Sequence, residues 1–213
     1  MTRQGLSLPM LRDILMTVAL FWAFVTPVQA QTNITATLAA ESQTPAPGST
    51  VLLAIDMQPK PGWHGYWRNP GDAGVGISLN WTLPAGATLG AMRWPVPEKL
   101  VVAGLMNHVF NGDHALLLPV AIPKDLAPGT RLPIRAEAQW LACTDKICVP
   151  ERGTLTLDLT VGDGAVTPAD RARFDAWRAK LALPLGGQAL FQRDGTRMRI
   201  AVPLPASVSA TDP

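Results

Sequence analysis

Two cysteines, Cys143 and Cys148, are the residues of this 213-residue sequence whose type and spacing best fit covalent chemistry. Four residues separate them, and the flanking segments 134–142 and 154–161 alternate apolar and polar residues as strands do. A hairpin with so short a connection places the cysteines opposite each other, within the Cα separation that a disulfide requires. The sequence therefore predicts a Cys143–Cys148 disulfide at one end of a β structure.

The residues alone leave two uses for this disulfide open. Closing a loop of six residues stabilises a fold by only about 2 kcal/mol, which is little for a purely structural bond. A hairpin tip is also accessible to an attacking thiolate, as thiol–disulfide exchange requires. Lys146 would favour a thiolate and Asp145 would oppose it, so the neighbouring charges give no direction. Redox exchange and a structural disulfide both stand as hypotheses.

A third hypothesis is a copper-handling module, because the two cysteines and a histidine would bind a soft cation. No pair of candidate ligands has the spacing of a known metal site, and scattered methionines usually fill gaps in a core. We therefore predict no metal site and no bound cofactor, since a dithiol carries two electrons itself. The candidate ligands besides the cysteines are His64, His108, His114, Met57, Met92 and Met106.

Aromatic residues gather in the glycine- and proline-rich stretch 61–74, where Trp63, Tyr66 and Trp67 lie within five positions. Such a cluster is able to form a binding platform, but large aromatic side chains more often close the end of a core. We favour the core for Trp63 and Trp67. The same interpretation applies to Trp81, Trp94 and Trp140.

The amino terminus has the pattern of a cleaved export signal over residues 1–30. Arg3 and Arg12 supply a positive start, residues 14–25 are uncharged and apolar, and Val28 and Ala30 are small residues at a cleavage site. Twelve apolar residues are too few to span a bilayer, which takes about 20. We therefore predict an exported protein whose mature chain does not span the membrane. The formal charge of +2 gives no electrostatic footprint for nucleic acid.

The mature chain is predicted to be all-β from residue 31 to 163, as a two-sheet sandwich with strands near 34–38, 50–57, 77–83, 115–122, 134–142 and 154–161. Residues 164–213 form a helical link and a partial second β subdomain. Thr167 and Pro168 begin a helix whose apolar stripe is Phe174, Trp177 and Leu181. A hairpin follows at 189–202 around an Asp-Gly turn. We expect the hairpin to dock weakly, and removal of the chain after Gly164 to leave the first domain's melting temperature nearly unchanged.

Several motifs together resemble the amino-terminal periplasmic domain of DsbD/ScsB-type thiol–disulfide reductases. They are Gly-Trp-His-Gly-Tyr-Trp-Arg-Asn-Pro-Gly-Asp-Ala-Gly at 62–74, Trp-Pro-Val-Pro at 94–97, and Trp-Leu-Ala-Cys with Cys-Val-Pro-Glu at 140–151. The resemblance covers roughly residues 34–161. It implies an immunoglobulin-like fold in which Cys143 and Cys148 are the redox pair.

The resemblance also implies partners and a shield for the pair. A membrane-embedded thiol reductase domain or protein would reduce the cysteines, which would then reduce thioredoxin-like and other oxidised proteins in the periplasm. A loop that covers the pair in some relatives corresponds to residues 107–112, with Phe110 and His108 as the possible shield. His108-Val-Phe110 stands where relatives commonly have a tyrosine-glycine-tyrosine pattern. The membrane and thioredoxin-like modules of the large reductases are not in this sequence, so we expect a fragment or a domain that works with a separate membrane protein.

Overall fold

The computed structural model describes residues 32–183 and 187–204, so the predicted signal peptide lies outside the described residues. Within these ranges the chain is mostly β, with twelve strands and one helix. The strands are β1 (Ile34–Ala40), β2 (Thr50–Pro59), β3 (Gly65–Gly71), β4 (Ser78–Thr82), β5 (Thr88–Leu89), β6 (Glu98–Val102), β7 (Leu105–Phe110), β8 (His114–Ala121), β9 (Arg131–Cys143), β10 (Cys148–Thr160), β11 (Leu190–Asp194) and β12 (Arg197–Ala201), and the helix α1 is Pro168–Arg178.

Two antiparallel sheets enclose the core, as the sandwich prediction requires. One sheet has the strand order β1-β2-β8-β5 and the other the order β10-β9-β4. Strand β9 buries every second residue from Leu132 to Ala142 and exposes most of those between, because its other face meets solvent. The buried side chains of both sheets meet in the core, for example Leu53 and Leu118 from the first sheet and Ile134 from the second.

The two central strands of the first sheet, β2 and β8, are buried on both faces. Both strands are nearly continuous apolar runs, as expected of strands with no solvent-facing side. The inner face meets β9 and β10, and the outer face is covered by Phe174 of α1, whose side chain is 0% exposed. Phe174 packs with Ala54, Ala115 and Leu117 in one buried cluster.

Helix α1 begins where the sequence predicts and is fastened to the sandwich at its far end. The Thr167 hydroxyl accepts a hydrogen bond from the Asp170 amide at 3.1 Å, and Pro168 occupies the first turn. Arg178 forms an ion pair with Glu41, and the Lys180 ammonium donates to the Asp113 carbonyl at 3.0 Å. Because the buried Phe174 completes a core cluster, the structure favours the opposite of the sequence-based expectation, namely that removal of the chain after Gly164 lowers the melting temperature. The domain boundary at residue 163 itself stays a prediction.

A third antiparallel sheet of order β3-β7-β6 was not expected from the sequence. The stretch 61–74 looked like a loop because of its glycines and prolines, and 107–112 looked like a covering loop. Instead β3 pairs with β7, with a register shift between Tyr66 and Gly71. The pairing is irregular, and its strands contain few residues of high strand propensity. Local sequence patterns therefore do not predict this sheet.

The last described hairpin, β11 and β12, is amphipathic but exposed. Phe191 pairs with Ile200 and Arg193 with Met198, so these four side chains share one face. Each residue of both strands is exposed, which agrees with the expected weak docking. Among the described residues, no helix has the length and apolar character needed to cross a bilayer.

Candidate functional site

The two cysteines form a disulfide at the tip of the longest hairpin of the described chain. Cys143 is the last residue of β9 and Cys148 the first of β10, and the two pair directly, with their Cα atoms 4.1 Å apart. Both strands are 13 residues long and pair without interruption. The predicted pairing is confirmed, and its position at the end of a sheet follows from this register.

The turn between the cysteines is closed by a threonine. The Ile147 carbonyl accepts a hydrogen bond from the Thr144 amide at 2.8 Å, and the Thr144 hydroxyl accepts from the amides of Lys146 and Ile147 at 3.1 Å each. These bonds satisfy the polar backbone of the turn and leave its side chains outside. Ile147 is 56% exposed beside Cys148, so an apolar side chain stands in solvent next to the disulfide.

The two cysteines differ in accessibility. Cys143 is 0% exposed, whereas Cys148 is exposed. Cys143 has a neighbouring strand segment on each side. It pairs with Cys148 of β10 on one side, and on the other it exchanges two backbone hydrogen bonds, at 2.8 Å and 3.0 Å, with His64, the residue before β3. Because Cys148 begins the last strand of its sheet, an attacking thiolate can approach it more readily than Cys143.

The pairing of β9 with β10 and with His64 shows which residues lie on the same face of the sheet as the disulfide. Directly paired residues of antiparallel strands point to the same face. His64, Cys143 and Cys148 therefore form one row, and Leu141 and Pro150 form the next row on that face. An open cavity of about 550 Å³ begins at that second row, and its lining includes Val75, Gln139, Leu141, Pro150 and Arg152.

The predicted shield residues lie on the other face. Phe110 pairs with Gly65, the residue after His64. Because successive residues of a strand face opposite sides, Phe110 lies on the face opposite to that of His64 and the cysteines. The Phe110 ring stacks on His114 at 4.2 Å, in the interior. His108 contacts Trp67 edge to face at 5.6 Å, and its Nδ1 lies 3.0 Å from the Asn69 carbonyl oxygen. The structure thus does not bring Phe110 or His108 to the disulfide, and their shielding role stays a prediction.

His64 is the neighbour of the cysteines that the sequence analysis did not single out for redox chemistry. It is buried, and burial lowers the pKa of its imidazole below the usual value. Its ring meets Tyr66 edge to face at 5.4 Å, and burial raises the pKa of that phenol. Only the bridge between residues 64 and 143 brings His64 to the site, and no local pattern predicts a contact between residues so distant in sequence.

A buried carboxylate secures the cysteine hairpin from the inner side. Glu151 lies opposite Trp140, three pairs from the disulfide, and accepts a hydrogen bond from the Trp140 indole at 2.9 Å. Its oxygens also accept from the backbone amides of Asn33, at 2.5 Å, and Ile34, at 3.1 Å. One side chain therefore links β9, β10 and the start of β1, which positions the hairpin on the sandwich.

Four of the five tryptophans predicted to be core residues pack in or on the buried clusters, namely Trp63, Trp81, Trp94 and Trp140. Trp67 is half-buried and belongs to none of these clusters, so the core prediction is not confirmed for it. In the described ranges, no group of three or more histidine, cysteine, aspartate or glutamate side chains is arranged to hold a metal ion.

Comparison with known proteins agrees with this architecture. The family described as "Thiol:disulfide interchange protein DsbD, N-terminal" matches residues 31–160. The N-terminal periplasmic domain of ScsB from Proteus mirabilis superimposes with a TM-score of 0.54 at 19% identity, covering 78% of this chain and 61% of that one. The reduced N-terminal domain of DsbD from Neisseria meningitidis gives a TM-score of 0.35 at 8% identity, covering 63% of this chain and 89% of that one.

The chain thus spans about three fifths of the length of the ScsB structure, which it resembles in fold. Comparison with curated protein sequences finds no match. The family match covers the whole of the sandwich and both cysteines, and the ScsB structure shares its immunoglobulin-like fold. On this match the chain belongs to the family of DsbD N-terminal domains.

Proposed function

We propose that this chain is a periplasmic thiol–disulfide exchange domain, a protein-disulfide reductase component in which Cys143 and Cys148 relay two electrons. A membrane-embedded thiol reductase supplies the electrons, and oxidised periplasmic proteins, including thioredoxin-like ones, receive them. The observation that carries the proposal is the asymmetry of the disulfide, with one exposed and one buried cysteine at a hairpin tip. Membership of the DsbD N-terminal family and the predicted export signal support the compartment.

The difference in exposure between the two cysteines supports one order of steps. A thiolate of the reducing partner attacks the sulfur of Cys148, a bond forms between partner and Cys148, and Cys143 leaves as a thiolate. The second thiol of the partner then displaces Cys148, so the partner is oxidised and the pair becomes a dithiol. In the delivery step the Cys148 thiolate attacks the disulfide of the oxidised protein. Cys143 then attacks Cys148 and releases the product as a dithiol.

Single-cysteine variants of the full chain test the proposal. The probe is a thioredoxin whose resolving cysteine is replaced by serine and whose remaining cysteine carries a thionitrobenzoate group. Cys143→Ser leaves the exposed Cys148, so we expect it to release the chromophore and form a mixed disulfide that no thiol resolves. Cys148→Ser leaves the buried Cys143, and we expect trapping at least tenfold slower.

The two variants are matched controls because each loses the same disulfide. A general effect of that loss on stability, about 2 kcal/mol from the short loop, affects both alike. A denaturant melt of each variant measures this. If neither variant traps the probe while both unfold at much lower denaturant than the unsubstituted chain, the disulfide is structural and the exchange function is refuted.

A further inference from the structure

We propose that His64 is the proton acceptor that lets the buried Cys143 act as a nucleophile. This inference rests on the proposed function and concerns its second half, in which Cys143 must attack the mixed disulfide at Cys148. The observation is the row of His64, Cys143 and Cys148 across three adjacent segments, with His64 and Cys143 joined by two backbone hydrogen bonds. The sequence places these two residues 79 positions apart, and only the fold makes them neighbours.

The backbone pairing places the His64 and Cys143 side chains next to each other on one face. Residues in a directly opposed antiparallel pair have Cβ atoms about 4.5–5.5 Å apart and point to one face. The imidazole is therefore the titratable ring beside the Cys143 side chain, and the acceptor of the thiol proton is one of its ring nitrogens. Cys143 itself is buried, and a buried thiol in apolar surroundings ionises less readily than a free one. A neighbouring acceptor is therefore what its attack requires.

The protonation state of His64 suits this role. Burial lowers the pKa of the imidazole and is the cause of the shift, so the ring is neutral at pH 7 and free to accept a proton. Among the groups that titrate or carry charge, Tyr66 contacts the ring and the two cysteines share its row, while the charged Asp145 and Lys146 lie in the exposed turn between the cysteines. The pKa of Tyr66 is raised, so the phenol is also neutral at pH 7.

The step balances without any further reactant. In the mixed disulfide, Cys148 is bound to a sulfur of the substrate and Cys143 is a thiol. The proton of Cys143 moves to His64, the Cys143 sulfur bonds to that of Cys148, and the substrate leaves as a thiolate that takes up a proton. The dithiol has lost two electrons and the substrate disulfide has gained them. In the opposite direction, the protonated ring returns the proton to Cys143 as it leaves.

The size of the effect follows from ionisation alone. A thiol with the ordinary pKa of about 8.5 is roughly 3% thiolate at pH 7, and burial makes the thiolate fraction of Cys143 smaller still, so that fraction limits the rate of attack. We expect loss of His64 to slow the attack of Cys143 about tenfold at pH 7. As the pH rises, a growing share of Cys143 ionises without help, so we expect the difference between the variant and the unsubstituted chain to shrink from pH 7 to pH 9.

The experiment follows the reduced full chain reacting with one molar equivalent of 2,2′-dithiodipyridine, which releases one thione per attack, so that no second reagent molecule is left to react with Cys143. The first thione reports attack by Cys148, and the second reports closure of the disulfide by Cys143. In His64→Gln, we expect the first phase to stay unchanged and the second to slow about tenfold at pH 7. His64→Phe keeps a ring against Tyr66 but accepts no proton, and we expect the same result from it.

The outcomes separate this inference from the proposed function. If the unsubstituted chain shows no fast first phase, Cys148 is not a reactive thiol, and both proposals are overturned. If both phases occur and either folded variant closes its disulfide within twofold of the normal rate at pH 7, His64 is not the acceptor, although exchange stands. An equal slowing at pH 7 and pH 9 assigns His64 a structural role and also overturns the inference.

Discussion

Replacing Phe174 by alanine tests the conclusion that α1 belongs to the core of the sandwich. The Phe174 ring is fully buried against Ala54, Ala115 and Leu117. Two of these three neighbours are alanines, whose short side chains cannot move in to fill the space. We therefore expect a loss at the usual level for a buried phenylalanine, about 3–4 kcal/mol of unfolding free energy. For a chain of this size that corresponds to a fall of about 10 °C in melting temperature.

The assay is thermal unfolding followed by circular dichroism, with two further variants. Arg171→Ala changes an exposed residue of the same helix, and we expect its melting temperature to stay within about 2 °C of the unsubstituted chain. A chain ending at Gly164 lacks the helix and exposes the whole apolar patch, so we expect it to melt at or below the temperature of Phe174→Ala. If Phe174→Ala melts like Arg171→Ala, the helix does not stabilise the sandwich and the reasoning is refuted.

Three further predictions concern other parts of the chain. Glu151→Gln places an amide group against three N–H donors, so we expect it to lower the unfolding free energy by about 2–3 kcal/mol, measured by a denaturant melt. A denaturation midpoint equal to that of the unsubstituted chain would contradict the role of this carboxylate. Burial lowers the pKa of His114 to about 4. As the pH falls, the imidazole of the unfolded chain is protonated before that of the folded chain, so we expect the unfolding free energy to decrease by about 3 kcal/mol between about pH 6.5 and pH 4. His114→Asn, which keeps a donor for the Gly112 carbonyl, should lose this pH dependence, and melts at pH 7 and pH 4 measure it. Removal of residues from 187 onward should change the melting temperature by less than about 2 °C, since both strands of the last hairpin are exposed; a larger fall would show that it docks.

The sandwich was predictable where local pattern and burial agree. Strand β9 alternates because one face is buried and the other solvated, and β2 and β8 are continuous apolar runs because both their faces are buried. The start of α1 was predictable from a capping threonine and a proline. The end of α1 was not predictable, since the apolar stripe continues to Leu181 and therefore predicts a longer helix. The helix ends at Arg178, because the Lys180 carbonyl accepts from the Val96 amide and Leu181 pairs with Pro95.

The candidate site was predictable only in part. The Cys143–Cys148 pair followed from a spacing of five residues, since a hairpin is a local structure. Which cysteine is exposed did not follow, because His64 reaches Cys143 from a distant segment. The placement of Phe110 depends on the register between β3 and β7. A shift of this pairing by one residue would move the Phe110 ring to the other face of the sheet. Local sequence carries no information on such a register when the strands are short and rich in glycine.

The bonds made by Glu151 also determine when the domain can be completed. This side chain lies 118 positions after Asn33 and 117 after Ile34, whose amides it binds. A chain is synthesised, and exported, with its amino end first, so these amides emerge long before their acceptor. The two cysteines are only five positions apart and meet by closing a short loop, which is far faster than joining the two ends of the domain. A nascent chain that stops between residues 148 and 151 can therefore already form the disulfide, whereas the amides of Asn33 and Ile34 still lack their acceptor.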